Sequence, residues 1–143
     1  MASLGLAQAS DIVDAALEKA GELGLRPVTV TVLDPGGHPV VVKRQDGAGI
    51  LRPQIAHAKA WGSLGMGHGG GHLAERADRG PTFFAALFAI SEGRLAPSRG
   101  GVLIKDADGE LIGSIGVSGD RPERDEAIAV YGVEKAGLVA ETN

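Results

Sequence analysis

Apolar residues first recur along this chain at helical spacing. Ile12, Ala16, Ala20 and Leu23 share one face, while Asp11, Asp14, Glu18 and Glu22 occupy the others, which predicts an amphipathic helix. It begins between Leu4 and Ser10; Gly24 suits its left-handed end and Pro27 blocks continuation. The period then changes to two. Val28-Thr-Val-Thr-Val-Leu33 reads as a strand, Asp34-Pro-Gly-Gly-His38 as a turn, and Pro39-Val-Val-Val-Lys-Arg44 as the returning strand of a hairpin that Asp46-Gly-Ala-Gly49 closes.

Helical spacing returns from Arg52 to about Gly67, with Ile55, Ala58, Trp61 (or Gly62) and Gly65 on related faces. The run Gly67-His-Gly-Gly-Gly-His72 predicts a loop, and Leu73 to Arg79 a short helix. After Pro81 the segment Phe83-Phe-Ala-Ala-Leu-Phe88 with Ile90 is the most hydrophobic in the chain, and is expected to be a buried helix anchoring the core. A second hairpin follows. Val102–Lys105 and Leu111–Val117 flank Asp106-Ala-Asp-Gly109, whose glycine suits a left-handed position in a three-residue loop. Pro122, Glu123, Asp125 and Glu126 then open a terminal helix with an apolar stripe of Ala129, Val133, Ala136 and Ala140. Helix, hairpin, helical middle, hairpin and helix give an α+β fold, an antiparallel sheet with helices packed on it, in one domain spanning 1–143.

Composition narrows the function. The chain has 143 residues, 43% hydrophobic and 22% charged, a globular balance. Its 23 glycines fall inside patterned segments, so they mark tight turns and close backbone approach rather than linkers. The net charge is −4 and the 14 basic residues are scattered, which gives nucleic-acid binding no electrostatic support. Cysteine is absent, which excludes disulfides, thiolate catalysis and cysteine-held metal. Met1–Ser10 does not read as a signal peptide and no apolar run reaches membrane-spanning length, so a cytoplasmic protein without membrane contact is expected.

Val32-Leu-Asp-Pro-Gly-Gly-His38, Arg44-Gln-Asp-Gly-Ala48, Lys59-Ala60, Gly100-Gly101 and Ile112-Gly-Ser-Ile-Gly-Val-Ser-Gly119 with Asp125-Glu126 occur in series. Together they resemble the GlcG/HbpS family, which also forms the C-terminal domain of PduO proteins, over about Leu6 to Leu138. The resemblance implies a profilin-like, five-stranded antiparallel sheet flanked by helices. It also implies homo-oligomers, often octamers, and haem as a ligand, with links to iron or oxidative stress or to organic-acid breakdown. Two features depart from the family's usual pattern: Leu103 stands where a proline is common, and His57 precedes the family's lysine where many members have no histidine.

His57 is therefore the leading candidate. It lies on the predicted helix near Arg52 and Lys59, with Trp61 one turn on, and an imidazole suits both iron ligation and general-base chemistry. Arg99, before Gly100-Gly101, suits a bidentate clasp on a carboxylate or haem propionate. Asp125 and Glu126 complement a helix N-terminus and follow a glycine-rich turn, so they join the candidate ligand site. His38 reads as an exposed turn residue. His68 and His72 are two potential ligands separated by glycines, too few for a dedicated metal site. Three functions remain in view: a haem- or small-ligand-binding oligomer with His57 and Arg99 at the ligand; a cofactor-free enzyme on a small organic acid, with His57 as general base and Arg52 or Arg99 holding the carboxylate; and a structural or regulatory oligomer.

Overall fold

The computed structural model describes residues 3–143; the first two residues of the expected leaderless N-terminus lie outside it. Helix α1 (Leu6–Glu22) ends where Gly24 adopts φ +66° and the Leu25 N–H reaches back to the Ala20 carbonyl, a Schellman-type termination. Strand β1 (Thr29–Leu33) turns through Asp34–His38 into β2 (Pro39–Arg44). The turn is fixed by Asp34, whose carboxylate accepts the N–H groups of Gly36 and His38. After α2 (Arg52–Met66), α3 (Gly70–Arg79) and α4 (Pro81–Ile90), the chain forms β3 (Gly101–Lys105), β4 (Leu111–Ser118), α5 (Pro122–Lys135) and β5 (Val139–Glu141). The strands form one antiparallel sheet in the order β2-β1-β4-β3-β5.

The two sheet faces differ in chemistry, because alternation along a strand sends successive side chains to opposite sides. One face carries Val30, Val32, Val102, Ile104, Ile115 and Val117, buried against Ile12, Val13 and Ala16 of α1 and Ile128 and Val133 of α5. The other presents small and polar residues to α2: Thr29 and Thr31 of β1, Ser114, Gly116 and Ser118 of β4, and Gly101 of β3. A β-carbon on Gly116 would overlap the Ala56 carbonyl oxygen, and the Ser114 hydroxyl donates to the Ala60 carbonyl at 2.9 Å. Glycine here admits the α2 backbone itself onto the sheet.

Three expectations are corrected. Helix α4 is not the core's anchor: only Phe84 is buried, in a satellite cluster with Leu73 and Leu95, while Phe83, Phe88 and Ile90 are 54%, 39% and 73% exposed. Helix α3 starts at Gly70 rather than Leu73, because Gly69 supplies an extended N-cap and Gly70 packs where a β-carbon would strike the Ser98 carbonyl; His72 is therefore helical. The terminal helix stops at Lys135. Gly137 turns the chain at φ +78°, and Ala140 belongs to β5, paired with Ile104 at the sheet edge. No helix among the described residues is long and apolar enough to cross a membrane.

Candidate functional site

The fold distributes the candidate residues over three places. In the interior, Lys59 is 4% exposed on the sheet-facing side of α2. Its ammonium donates to the Val117 carbonyl at 2.9 Å and faces the Asp125 carboxylate at 3.3 Å. The other Asp125 oxygen accepts the Asp120 N–H at 3.0 Å. Gly100, at φ +111°, passes so close that a β-carbon would sit 3.0 Å from the Lys59 ammonium, and Gly101 packs on the Lys59 backbone. Burial pushes Lys59 below and Asp125 above their ordinary values, while the ion pair and its hydrogen bonds oppose both shifts. Lys59, Gly100, Gly101 and Asp125 thus form a latch joining α2, β4 and α5, with no open face for a ligand. Arg52 lies near it and donates to the Ser118 hydroxyl at 3.1 Å.

Arg99 and Glu126 sit elsewhere. Their charged groups are 3.9 Å apart, in a small polar recess of about 110 Å³ with His72 and Glu75. The rings of His68 and His72 stack at 3.9 Å between centroids. No group of three or more His, Cys, Asp or Glu residues able to hold a metal occurs among the described residues. His38 is exposed and held by the Asp34 carboxylate.

His57 opens onto a different and larger recess, about 470 Å³. The sheet contributes Thr31 and Val42, helix α2 contributes Pro53 and His57, and the loop after α4 contributes Glu92 and Arg94. Burial lowers the His57 pKa below its ordinary value of 6.5, and the nearby Arg94 charge lowers it further, so the imidazole is neutral near pH 7. Trp61 bridges the first hairpin turn and Arg94. One edge of its ring abuts Gly37 of the first hairpin turn, and the Arg94 guanidinium lies 4.4 Å from a ring centroid, within cation–π range. Arg94 also donates from Nε to the Ser91 carbonyl at 2.8 Å. Glu92, beside it, has φ +56°, the one positive value for a non-glycine among the described residues. Such backbone strain gathers at ligand-handling loops.

Arg99, expected beside His57, lies at another recess, and Arg94, which sequence reasoning did not single out, stands there instead. Nothing local marks Arg94, because only the tertiary path of the loop after α4 returns it to α2. Thr31 was legible. In Val28-Thr-Val-Thr-Val32 the threonines oppose the core valines, which places them on the α2 side.

A family model described as "Haem degrading protein HbpS-like" matches residues 4–134. The chain belongs to this family. Among solved structures, the HbpS-like fold superposes on a PduOC–haem complex with a TM-score of 0.85 and 27% identity, covering 95% of this chain and 96% of that one. A double mutant of HbpS from Streptomyces reticuli gives a TM-score of 0.82 and 31% identity, covering 94% and 88%. In sequence, the HbpS-like chain is 32% identical over 118 residues to the corrinoid adenosyltransferase PduO of Salmonella typhimurium, covering 80% of this chain and 33% of that protein. It therefore spans a third of that enzyme's length.

Proposed function

We propose that this chain binds haem in the recess walled by His57. The carrying observation is a neutral, partly buried imidazole on the wall of an open recess, in a fold shared with a domain solved as a haem complex. The residues suit the group: His57 offers an unprotonated nitrogen for iron, and Val42 and Pro53 offer apolar surface to a macrocycle. When bound, haem would supply an iron centre for ligand or redox chemistry. The protein's part is to keep His57 neutral by burial and to limit water at the recess. A cofactor-free reaction would use the same imidazole as its base, but the kinship to a haem-complexed domain favours binding.

The wider setting belongs to the same proposal. A cysteine-free chain suits a reducing cytoplasm, and haem binding suits a place in iron or oxidative-stress handling, or beside organic-acid catabolism. The uncharged, largely exposed α4 supports assembly with further copies of the chain.

Titrating purified protein with hemin tests the site. Wild type should shift the Soret band, and His57→Ala should lose or displace that shift. Because the His57 pKa lies below 6.5, affinity should stay level from pH 8 to 7 and decline only on acidification below that value. An absent Soret shift, or one unaltered in His57→Ala, would refute His57 ligation.

A further inference from the structure

Among the described residues Arg94 is the only lysine or arginine lining the His57 recess, and its side chain is held on two sides. The Trp61 ring supports the guanidinium plane, and the Ser91 carbonyl takes its Nε proton. Most of the rotamer entropy of a long side chain is therefore already spent before any ligand arrives. Among the described residues no carboxylate lies within ion-pair distance of it, although Glu92 lines the same recess. Its terminal N–H groups have no hydrogen-bond acceptor among the described residues. A planar guanidinium held in this way is matched to the two oxygens of a carboxylate.

Thr31, on the sheet wall of the recess, supplies the second element. It is 1% exposed, and its hydroxyl has no hydrogen-bond partner. Buried hydroxyls are normally satisfied, and this one is sealed from solvent in its present rotamer. One staggered step about χ1 would carry the hydroxyl to the place of the methyl or of the β-hydrogen, and no protein hydrogen bond would be broken by the step. Turning toward a ligand acceptor would therefore cost the hydroxyl no existing hydrogen bond. His57, neutral, offers a further N–H or lone pair from a third element.

We propose that Arg94, seconded by Thr31, forms a carboxylate-binding subsite in the His57 recess. It rests on the reading that this recess is the ligand site, and extends it by naming the charge that the ligand must carry. Two sources share that chemistry: a propionate of haem, and a free small organic acid. In either case Arg94, not Arg52 or Arg99, holds the carboxylate.

The experiment has two arms. In the first, hemin and hemin dimethyl ester, which lacks free carboxylates, are titrated into wild type, Arg94→Gln, Arg94→Lys and Thr31→Val. Wild type should prefer hemin by about tenfold, the scale of one charge-assisted hydrogen-bonded contact. Arg94→Gln should erase that preference while keeping the wild-type affinity for the ester and an unchanged Soret maximum. Arg94→Lys should keep part of it, and Thr31→Val should reduce it about threefold. In the second arm, millimolar acetate, propionate or succinate is added without hemin. A carboxylate that fits should raise the melting temperature of wild type but not of Arg94→Gln. An Arg94-dependent effect in either arm upholds the subsite and identifies its source. If hemin fails to bind but a small acid acts through Arg94, the haem reading falls and the subsite stands. With no small acid acting through Arg94, equal binding of hemin and ester by wild type overturns it, and so does a full preference retained in Arg94→Gln. Matching circular dichroism melts in the absence of ligand confirm that each variant is folded.

Discussion

At the scale of single residues, Lys59 and Asp125, expected among the ligand-binding residues, meet as a buried ion pair. Both charges are nearly sealed from water, and each is tolerated because the other side of the bond is satisfied: carbonyl and carboxylate for the ammonium, ammonium and an N–H for the carboxylate. Removing one member strands the other. Lys59→Met should cost about 3–5 kcal/mol in denaturant unfolding, the range for an orphaned buried charge. The pH dependence distinguishes this cause from lost packing. Asp125 already titrates above its ordinary value of 3.8, and loss of Lys59 raises it further. A carboxyl whose folded pKa exceeds its unfolded pKa binds the proton more readily when folded. The penalty is therefore fully present above the folded pKa and is relieved as pH falls through it. The deficit of Lys59→Met relative to wild type should shrink on acidification toward the range of an ordinary carboxyl. A deficit constant with pH would assign the loss to packing alone.

At the scale of elements, glycine decides how α2 meets the sheet. At Gly116 a β-carbon would collide with the Ala56 carbonyl, whereas at Gly21, on the α1 surface, nothing lies within 4 Å. Gly116→Ala should lose about 3 kcal/mol or more, since overpacking backbone against backbone has no rotamer to relieve it. Gly21→Ala should gain up to about 1 kcal/mol from helix propensity. Equal thermal shifts in the two variants would contradict the close approach. The same contrast explains what could be read from the chain. Both hairpins were legible because Asp34-Pro-Gly-Gly and Asp106-Ala-Asp-Gly carry turn chemistry between alternating strands. The five-strand count came from family resemblance, because β5 is three residues long and its Ala140 continues a helical stripe by coincidence of spacing. Helix α4 was misplaced because apolar content alone does not say what covers it. In the candidate site, His57 was visible from its helix, whereas Arg94 depends on a loop trajectory that no local pattern encodes.

At the scale of the molecule, that misreading of α4 becomes informative. From Pro81 to Ile90 there is no charged residue, and among the helices it packs chiefly on α3, through Phe84 and Leu87. Its outer surface sets Phe83, Phe88 and Ile90 among Ala85, Ala86 and Ala89, all exposed. A patch of this kind is costly on a solitary soluble chain and marks a contact surface. Large and small side chains interspersed on one face would suit a two-fold contact between copies. The proposed assembly with further copies of the chain would use this face. Light scattering on wild type should then give a multiple of 14.5 kDa, and the double variant Phe83→Glu, Ile90→Glu should give the monomer mass. Because both side chains already face solvent within one chain, the monomer should keep its circular dichroism spectrum. A monomeric wild type, or a variant of unchanged mass, would exclude α4 as the interface. The loop that carries Arg94 leaves directly from the end of α4, so pairing there would also brace the rim of the His57 recess. The monomeric variant should bind hemin several-fold more weakly than the assembled protein, through the added cost of ordering that loop, and with the His57-dependent Soret position retained.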